Sequence, residues 1–434
     1  MAVNPTAVWR VRPAGSNTNG AGFDTGITGF GTDYSKQDAA QLSVADATSV
    51  AASKIVLSVT GGFTAAMIGN AIYLSGTHFT TGWYFITAWT STNSITIDRD
   101  PTTGGNGSLG TLNVGGGWAD FWTNTTSAKA ALVPGNIVYI LGSGVPNPAA
   151  YTIDYSPAVT FTPTSGDQTN GIISFIGDPA TPSSGVPCIQ PTGQLFSGAV
   201  AIQLQNLWFV GGGTTNNSNG IFACSSPNFT CLVSNVVYDQ FGYDIGWSGH
   251  FDTGVGACNY FNMEVFNTHA ARSTTGQPGI NISDGSMINC NIHDCLGDGI
   301  SSTGPQWIVN TISAKNGNVG IRVYSTLDSY SCAIMNCTVD ANGGIGIYLN
   351  GGKVLGYTCV LNCIISNHAS SPGLEVAGAA GTQAQVDKIK GFIDYNIFYN
   401  NAGGNYNNIT AGGHDTAEGT NPYVGQSTEN YTLA

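Results

Sequence analysis

The segment NIHDCLGDGI holds the side chains of this 434-residue chain that are best suited to acid–base chemistry. His293, Asp294 and Asp298 are close in sequence, and Arg322 follows one repeat later. Two carboxylates about 5 to 10 Å apart would permit hydrolysis of a glycosidic bond. Glu375 is a further candidate general acid, although the pattern places no second carboxylate beside it. The candidate catalytic residues are therefore His293, Asp294, Asp298 and Glu375.

These residues belong to a repeat in which an Asn is followed at a fixed distance by an aliphatic residue. Ile300, Ile321 and Ile347 each come eleven positions after such an Asn. The spacing between successive Asn residues, 21 to 29 positions, is typical of a solenoid whose short parallel strands stack about 4.8 Å apart. Since Asn tolerates the left-handed backbone of tight turns, the column is interpreted as a structural turn ladder. Its members are Asn206, Asn235, Asn262, Asn289, Asn310, Asn336 and Asn362.

The repeat also predicts which way the candidate catalytic side chains point. Asp298 lies two positions before the aliphatic residue and is expected on the inward face or in the adjoining turn. Arg322 directly follows an aliphatic residue and is expected to point outward. The two are thus predicted to face opposite ways. Asp298 is interpreted as a turn cap, and His293 and Asp294 as solvated residues.

The outward columns form a second candidate site. Stacked coils are expected to bring aromatic, charged and amide side chains together on one exposed strand face, and this mixture suits a sugar ring. Ordinary surface residues remain the alternative. The predicted glycan-binding residues are Arg322, Tyr324, Tyr348, Asn350 and Glu375.

Four segments are predicted along the chain. Residues 1–43 contain an N-terminal strand and a capping helix in DYSKQDAAQL, with Asp33 as its N-cap. Residues 44–115 alternate as in a small inserted antiparallel β-domain, where alternation is expected to bury half of the aromatic side chains of GWYFITAW. Residues 116–400 form the solenoid, with a possible helix from Trp118 to Ala131, and 401–434 form a loop-rich closing segment.

With these motifs the chain resembles the right-handed parallel β-helix proteins of the pectate-lyase-like superfamily. VRPAGSNTNGAG looks like their first strand and turn, LVPGNIVYILGSG resembles their Pro-Gly-Asp strand entry, and NPYVGQSTENYTLA is similar to their closing segment. The resemblance implies an all-β fold, a right-handed parallel β-helix with the small insert. It also implies a Ca²⁺-binding Asp cluster with an Arg or Lys base, or Gly-His-Gly and Arg-Ile-Lys motifs. This chain lacks both of those tripeptides, so the resemblance implies the fold rather than an activity.

The composition limits the classes of partner that this chain is expected to bind. A net charge of -13 with only 12 Lys and Arg residues argues against nucleic acid, and no apolar stretch is long enough to predict membrane insertion. The ten Cys residues, all between Cys188 and Cys363, are interpreted as small core residues, with disulfides as the alternative. No Cys or His spacing matches a zinc site, and we predict no metal and no cofactor.

The main functional hypothesis is a structural or receptor-binding virion protein, such as a bacteriophage spike, fibre or capsid-surface protein. It is expected to form a homo-oligomer, with a trimer favoured, and to contact other virion proteins and host-surface polysaccharide. Because the N-terminus lacks the features of an export signal, we expect synthesis in the host cytoplasm and release by lysis to the virion surface. The alternatives are a polysaccharide lyase or glycoside hydrolase, and a bacterial cell-surface or matrix protein located outside the cell. Absence of enzymatic activity is favoured because the catalytic sets are incomplete.

Overall fold

The computed structural model of the chain describes residues 5–120, 132–142, 154–155, 172–178, 186–190, 195–197, 201–210, 222–223, 230–239, 257–266, 278–282, 285–302, 304, 306–325, 331–351, 358–377, 393–409, 411–425 and 430–433. Two compact units are present: residues 1–190 with 199–208, and residues 191–198 with 209–434. We call them unit 1 and unit 2. In the described ranges the helical elements are two short 3-10 turns, Tyr34–Lys36 and Ala65–Met67, and no helix is long and apolar enough to cross a membrane.

Unit 1 contains a mostly parallel sheet. The N-terminal strand Val8–Val11 pairs antiparallel with Gly22–Phe23 and parallel with Ile137–Ile140. Parallel pairing then continues through Ile173–Gly177 to Ala201–Gln205. Cys188–Ile189 is a further short strand of unit 1, and the short strand Trp208–Val210 begins in unit 1 and ends in unit 2.

The predicted insert is a closed antiparallel barrel in unit 1. Its apolar interior includes Val44, Phe63 and Ile72, all buried. The antiparallel domain expected in this region is thereby confirmed. The six strands are, in the order of their pairing, Leu42–Ser49, Ile55–Leu57, Ser94–Ile97, Gly82–Ser91, Ala71–Thr77 and Gly107–Val114.

Alternation fails in the aromatic strand of the barrel. Tyr84 packs inside the barrel, but Trp83 and Phe85 on the other side are also buried, at 6% and 2% exposure. Trp83 lies against Trp118, with ring centroids 5.4 Å apart, and Phe85 lies against Trp9 at 5.5 Å. Because apolar residues cover both sides of this strand, the expectation that half of these residues would be exposed is wrong for its first three aromatics.

The predicted capping helix is a single 3-10 turn, Tyr34–Lys36. Asp33 caps it as expected, since its carboxylate accepts a hydrogen bond from the Ser35 amide at 3.1 Å. Gln37 already has an extended backbone, and a barrel strand begins at Leu42. The expectation of a longer helix is wrong because the segment enters the barrel within a few residues. Trp118 forms an isolated parallel β-bridge with Val11, and residues 121–131 of the second predicted helix lie outside the described residues.

Unit 2 is a parallel β-helix with three sheets, which confirms the predicted fold class. From Ala257 to Asn407 each coil contributes one strand to each sheet in chain order, as in Gln306–Val309, Ile312–Ala314 and Ile321–Ser325. Sheet 1 comprises Thr230–Ser234, Ala257–Phe261, Gly285–Ile288, Gln306–Val309, Cys332–Met335, Cys359–Leu361 and Ile393–Asp394. Sheet 2 comprises Val237–Asp239, Glu264–Phe266, Asn291–His293, Ile312–Ala314, Thr338–Asp340, Ile364–Ser366, Ile397–Tyr399 and Thr416–Ala417. Sheet 3 comprises Ile280–Ile282, Ile300–Ser302, Ile321–Ser325, Ile347–Gly351, Leu374–Val376 and Tyr406–Asn407.

The core of unit 2 consists of aliphatic columns from the three sheets. Ile308, Ile292 and Ile321 are examples, one from each sheet, and all are fully buried. Strand alternation directs the neighbouring residues outward, so each sheet has an outward face with its own composition.

The closing segment after residue 400 contains strands that contact the last coils. Tyr406–Asn407 pairs with Leu374–Val376, and Thr416–Ala417 pairs with Ile397–Tyr399. A hairpin of Tyr423–Gly425 and Asn430–Leu433 follows. Unit 2 also contains a short parallel pair, Phe196–Ser197 with Phe222–Ala223.

Candidate functional site

The outward face of sheet 3 brings the predicted glycan-binding residues together. Arg322 pairs with Tyr348, and Tyr348 pairs with Glu375, so these three form one column. Tyr324 pairs with Asn350 in a second column two residues along the strands. The register derived from the Asn repeat therefore places these residues on one face, which we call the polar face.

The centre of the polar face is a clamped guanidinium. Arg322 donates through Nε to Asp298 Oδ2 and through Nη2 to Asp298 Oδ1, the latter at 3.1 Å. Its Cζ lies 5.2 Å from the Tyr348 ring centroid and 5.6 Å from that of Tyr324. Both members of the ion pair are largely buried, with side chains 16% and 7% exposed. A bidentate pair of this kind holds the guanidinium in one orientation.

The charge of Asp298 also determines the acid–base behaviour of Arg322. Burial alone lowers the pKa of the guanidinium, but the hydrogen bond and negative charge of Asp298, with Tyr324, outweigh burial and raise the pKa above its ordinary value. An Arg with a raised pKa and a bound carboxylate is a poor general base. The pair therefore positions side chains rather than accepting protons.

The prediction that Asp298 and Arg322 face opposite ways is wrong. Asp298 lies in the turn before strand Ile300–Ser302, where strand alternation does not set the direction of a side chain. From there its Oδ1 accepts the Val319 amide at 3.1 Å, the turn-capping bond that the sequence suggested. The same carboxylate turns toward the next coil and binds Arg322, so capping and pairing occur together.

Glu375 lies at the other end of the column. Asn407 Nδ2 donates to Glu375 Oε2 at 3.0 Å, and Asn407 belongs to the closing segment that the sequence pattern left as loop. Burial and the Glu375 charge raise the pKa of the Tyr348 hydroxyl, so this phenol stays protonated near neutral pH. Asn350 takes its predicted strand position.

The carboxylates Asp298 and Glu375 are far apart for glycosidase chemistry. Three coil steps separate their strands, from Ser301 through Arg322 and Tyr348 to Glu375. At about 4.8 Å per step, and allowing for the reach of Asp298, the carboxylates lie roughly 10 to 14 Å apart. Pairs that hydrolyse glycosides lie about 5 to 9.5 Å apart.

His293 and Asp294 lie on sheet 2 and its adjoining turn. His293 Nδ1 bonds Asp294 Oδ2 at 2.7 Å, and Nε2 lies 3.3 Å from Glu264 Oε1. The imidazole also stacks on Phe266, with ring centroids 5.3 Å apart. The interpretation of His293 as solvated is wrong, because this residue is only 8% exposed. The cluster ties two neighbouring coils together, and the sequence repeat contained a signal for it, because Phe266 and His293 each come four positions after a ladder Asn, Asn262 and Asn289.

The Asn column has the backbone of a turn ladder. All seven residues have positive φ, between 50° and 56°. Two pairs of its side chains bond along the column: Asn262 Nδ2 donates to Asn235 Oδ1 at 3.1 Å, and Asn362 Nδ2 to Asn336 Oδ1 at 2.7 Å. Asn206 belongs to unit 1, and the other six residues lie in the turns between sheets 1 and 2, whereas the polar face belongs to sheet 3.

A second buried column lies in the turn between sheets 2 and 3 and was not predicted from the sequence. Asn316 Nδ2 donates to Asn342 Oδ1 at 2.9 Å, Asn342 Nδ2 donates to the Ser313 carbonyl at 3.0 Å, and His368 occupies the next position. These residues come six positions after Asn310, Asn336 and Asn362, so the repeat contained the signal. Burial lowers the pKa of His368 to about 4, which keeps its imidazole neutral.

The core Cys residues behave as small apolar side chains. Cys290, Cys337 and Cys363 follow ladder Asn residues and are at most 2% exposed, and all three are free thiols. Burial raises the pKa of Cys290 to about 11, so its reactive thiolate is scarce. Among the described residues no His, Cys, Asp and Glu group is arranged to hold a metal ion. The expectation of no metal and no cofactor stays a prediction.

No protein-family model and no curated protein matches this chain. Its β-helix is similar to several solved structures at low identity. A mannuronan C-5 epimerase module of Azotobacter vinelandii is 11% identical over 65% of this chain and 91% of its own, with a TM-score of 0.32. A pectate lyase is 14% identical over 71% and 78%, with a TM-score of 0.36. The catalytic domain of an α-1,3-glucanase is 11% identical over 88% and 87%, with a TM-score of 0.33.

Such values concern the fold and give no information on the activity of this chain. Strand pairing alone defines it as a parallel β-helix protein. Its distinguishing local feature is the aromatic and charged outward face of sheet 3.

Proposed function

We propose that this protein binds a polysaccharide on the polar face of sheet 3. The observation that carries the proposal is the clamp of Arg322 by Asp298 between Tyr324 and Tyr348. Sugar rings stack on aromatic side chains, and their hydroxyls need fixed donors and acceptors. A half-buried, preorganised group supplies these at a low entropic cost.

The remaining polar groups of the face fit the same ligand. Only part of the Arg322 donor set is used by Asp298, so further N–H groups are available to sugar hydroxyls. Glu375 and Asn407 add acceptors and donors two and three coils farther along the column. The face therefore suits several sugar units of an extended chain rather than a single small ligand.

Binding without cleavage is the form of this function that the geometry supports. Asp298 is engaged with Arg322 and with a backbone amide, and its distance from Glu375 exceeds that of a hydrolytic pair. We therefore place a lyase or hydrolase second. The virion role has no support in the comparisons, and the trimer, the virion partners and the virion-surface location stay predictions, as does the bacterial surface alternative.

The test is retention of the full-length chain by a panel of neutral and uronate-containing polysaccharides in affinity electrophoresis. Tyr348→Ala and Tyr324→Ala should each weaken retention about 3- to 10-fold, because one ring contact contributes about 0.5 to 1.5 kcal/mol. Tyr395→Ala is the matched control, since Tyr395 is 57% exposed and lies in the turn between sheets 1 and 2. Unchanged retention of Tyr348→Ala, or no retention of the wild type, would contradict the proposal.

The same panel separates binding from catalysis. Release of reducing ends or unsaturated uronates should stay at background. If release occurs and Asp298→Asn or Glu375→Gln abolishes it, the enzyme alternative is the correct one.

A further inference from the structure

The outward face of sheet 1 has a composition opposite to that of the polar face. One column pairs Ser234 with Phe261 and continues through aliphatic residues and Met. Trp307 stands in the neighbouring column and is 63% exposed. Between strands Thr230–Ser234 and Cys359–Leu361 neither outward column contains a charged residue. We call this surface the apolar face, and its apolar members are Phe261, Ile288, Trp307, Val309, Met335 and Leu361.

Such a surface is unusual on a solvent-facing sheet. The outward residues of a solvated sheet are ordinarily polar, and a contiguous exposed apolar patch marks a place of interaction. Ile288, Val309, Met335 and Leu361 are half-buried, while Trp307 is exposed. The column becomes charged only at Asp394, on the seventh strand, where His414 pairs with the carboxylate at 2.8 Å.

We propose that the apolar face packs against the apolar face of a second copy of this chain. The net charge of the chain favours an uncharged surface for contact between two copies. With a net charge of -13, two copies repel each other over most approaches, and an association requires a surface free of carboxylates. The apolar face meets that requirement over six successive strands of sheet 1.

The spacing of the columns also favours a second copy of the chain as the partner. Side chains on a parallel β-helix repeat about every 4.8 Å along the axis, and facing sheets pack about 10 Å apart with interdigitating side chains. A second copy has the same repeat, so its side chains fit between those of the first along the whole column. A globular partner without this period would match only locally.

A two-fold arrangement places the bulkiest residue at the centre. Trp307 and Val309 lie on Gln306–Val309, the fourth of the seven strands of sheet 1. In a two-fold interface the middle of the patch meets itself, and large aromatic side chains near the centre contribute most of the binding free energy. Trp307 is therefore the residue whose loss should weaken association most.

The test is molar mass by light scattering over a dilution series of the full chain. The wild type should have a multiple of 44.8 kDa, and Trp307→Asp and Val309→Asp should shift the mass to that of one chain, with dissociation constants at least about 100-fold higher. Val59→Asp is the matched control, because Val59 is 91% exposed on the barrel and lies outside the face. Its mass should equal that of the wild type. Trp307→Ser removes the aromatic contact without adding charge and should also dissociate the assembly.

Far-ultraviolet circular dichroism must show native β-structure in each variant that is compared. A wild type that stays at 44.8 kDa at every concentration would overturn the proposal. In that case, protection of Trp307 from iodide quenching would identify a segment of the same chain as the occupant. Folded Trp307→Asp and Trp307→Ser variants that keep the wild-type mass would overturn it equally.

Discussion

The polar face of sheet 3 and the apolar face of sheet 1 are built on the same coils, yet they present opposite chemistry. In the coil of residues 306–325, one strand points Trp307 and Val309 outward, and the other points Arg322 and Tyr324 outward. Both strands bury aliphatic residues on their inner side. The comparison shows that the core pattern specifies the scaffold, whereas function depends on the outward positions that the pattern leaves unconstrained.

The two faces also differ in how their side chains are held. On the polar face, Arg322 is fixed by hydrogen bonds and ring contacts. On the apolar face, Val309 and Met335 lie beside each other in the column, and neither side chain has a hydrogen-bond donor. Removal of a buried hydrogen-bonding partner on the polar face should therefore lower stability, whereas a substitution on the apolar face should change association.

The largest effect on stability is expected from Asp298→Ala. The change leaves the Arg322 guanidinium without its carboxylate and the Val319 amide without its acceptor. Breaking a largely buried pair from one side costs about 2 to 4 kcal/mol of unfolding free energy, measurable by urea denaturation. Glu375→Gln, at an exposed hydrogen bond of the same face, should change it by less than about 0.5 kcal/mol. If Asp298→Ala and Glu375→Gln lower the unfolding free energy equally, the Asp298–Arg322 pair contributes no more to stability than the exposed hydrogen bond of Glu375.

The second effect concerns pH and the turn that leads to the polar face. Burial lowers the pKa of His368 from 6.5 to about 4, so between these values the unfolded chain binds a proton that the folded chain does not. The contribution of neutral His368 to the unfolding free energy is fully present above pH 6.5, and roughly 3 kcal/mol of it is lost as the pH decreases from 6.5 to about 4. His368→Asn, which continues the column of Asn316 and Asn342, should abolish that part of the pH dependence. Urea titrations at several pH values would show it, and an unchanged pH profile in the variant would contradict it.

A smaller effect is expected in the turn that leads away from the apolar face. Asn336 has a φ of 53° and accepts a hydrogen bond from Asn362. Asn336→Ala should lower the unfolding free energy by about 1 to 2 kcal/mol, since Ala is strained in this conformation and the bond is lost. Asn336→Gly keeps the backbone relaxed and should cost less than Ala. If Gly costs more than Ala in thermal unfolding, the positive φ is not what the Asn supplies.

Much of unit 2 could be predicted because its order is periodic. The Asn spacing gave the coils, the inward aliphatic residues and the alignment of Arg322 with Tyr348 and Glu375. The second column, including Asn316 and Asn342, follows from the same count. What could not be predicted is the direction of a turn residue, so Asp298 was separated from the Arg322 that it binds.

Contacts between segments that are distant in sequence could not be predicted for a different reason. Phe85 is buried on the outer side of the barrel strand by Trp9, and Asn407 reaches Glu375 from the closing segment. Alternation describes one strand and its two sides, and it contains no information on what a remote part of the chain places against either side. These contacts require the fold to be known first.

The most direct test of separate roles for the two faces is calorimetric titration of one soluble oligosaccharide, obtained from whichever polysaccharide retains the wild type. A monovalent ligand removes the gain from multivalency, so association of the protein does not alter the affinity per site. We predict that Trp307→Asp binds the oligosaccharide as tightly as the wild type, while Tyr348→Ala binds about 3- to 10-fold more weakly at unchanged molar mass. Loss of sugar binding in Trp307→Asp together with full binding in Tyr348→Ala would contradict it.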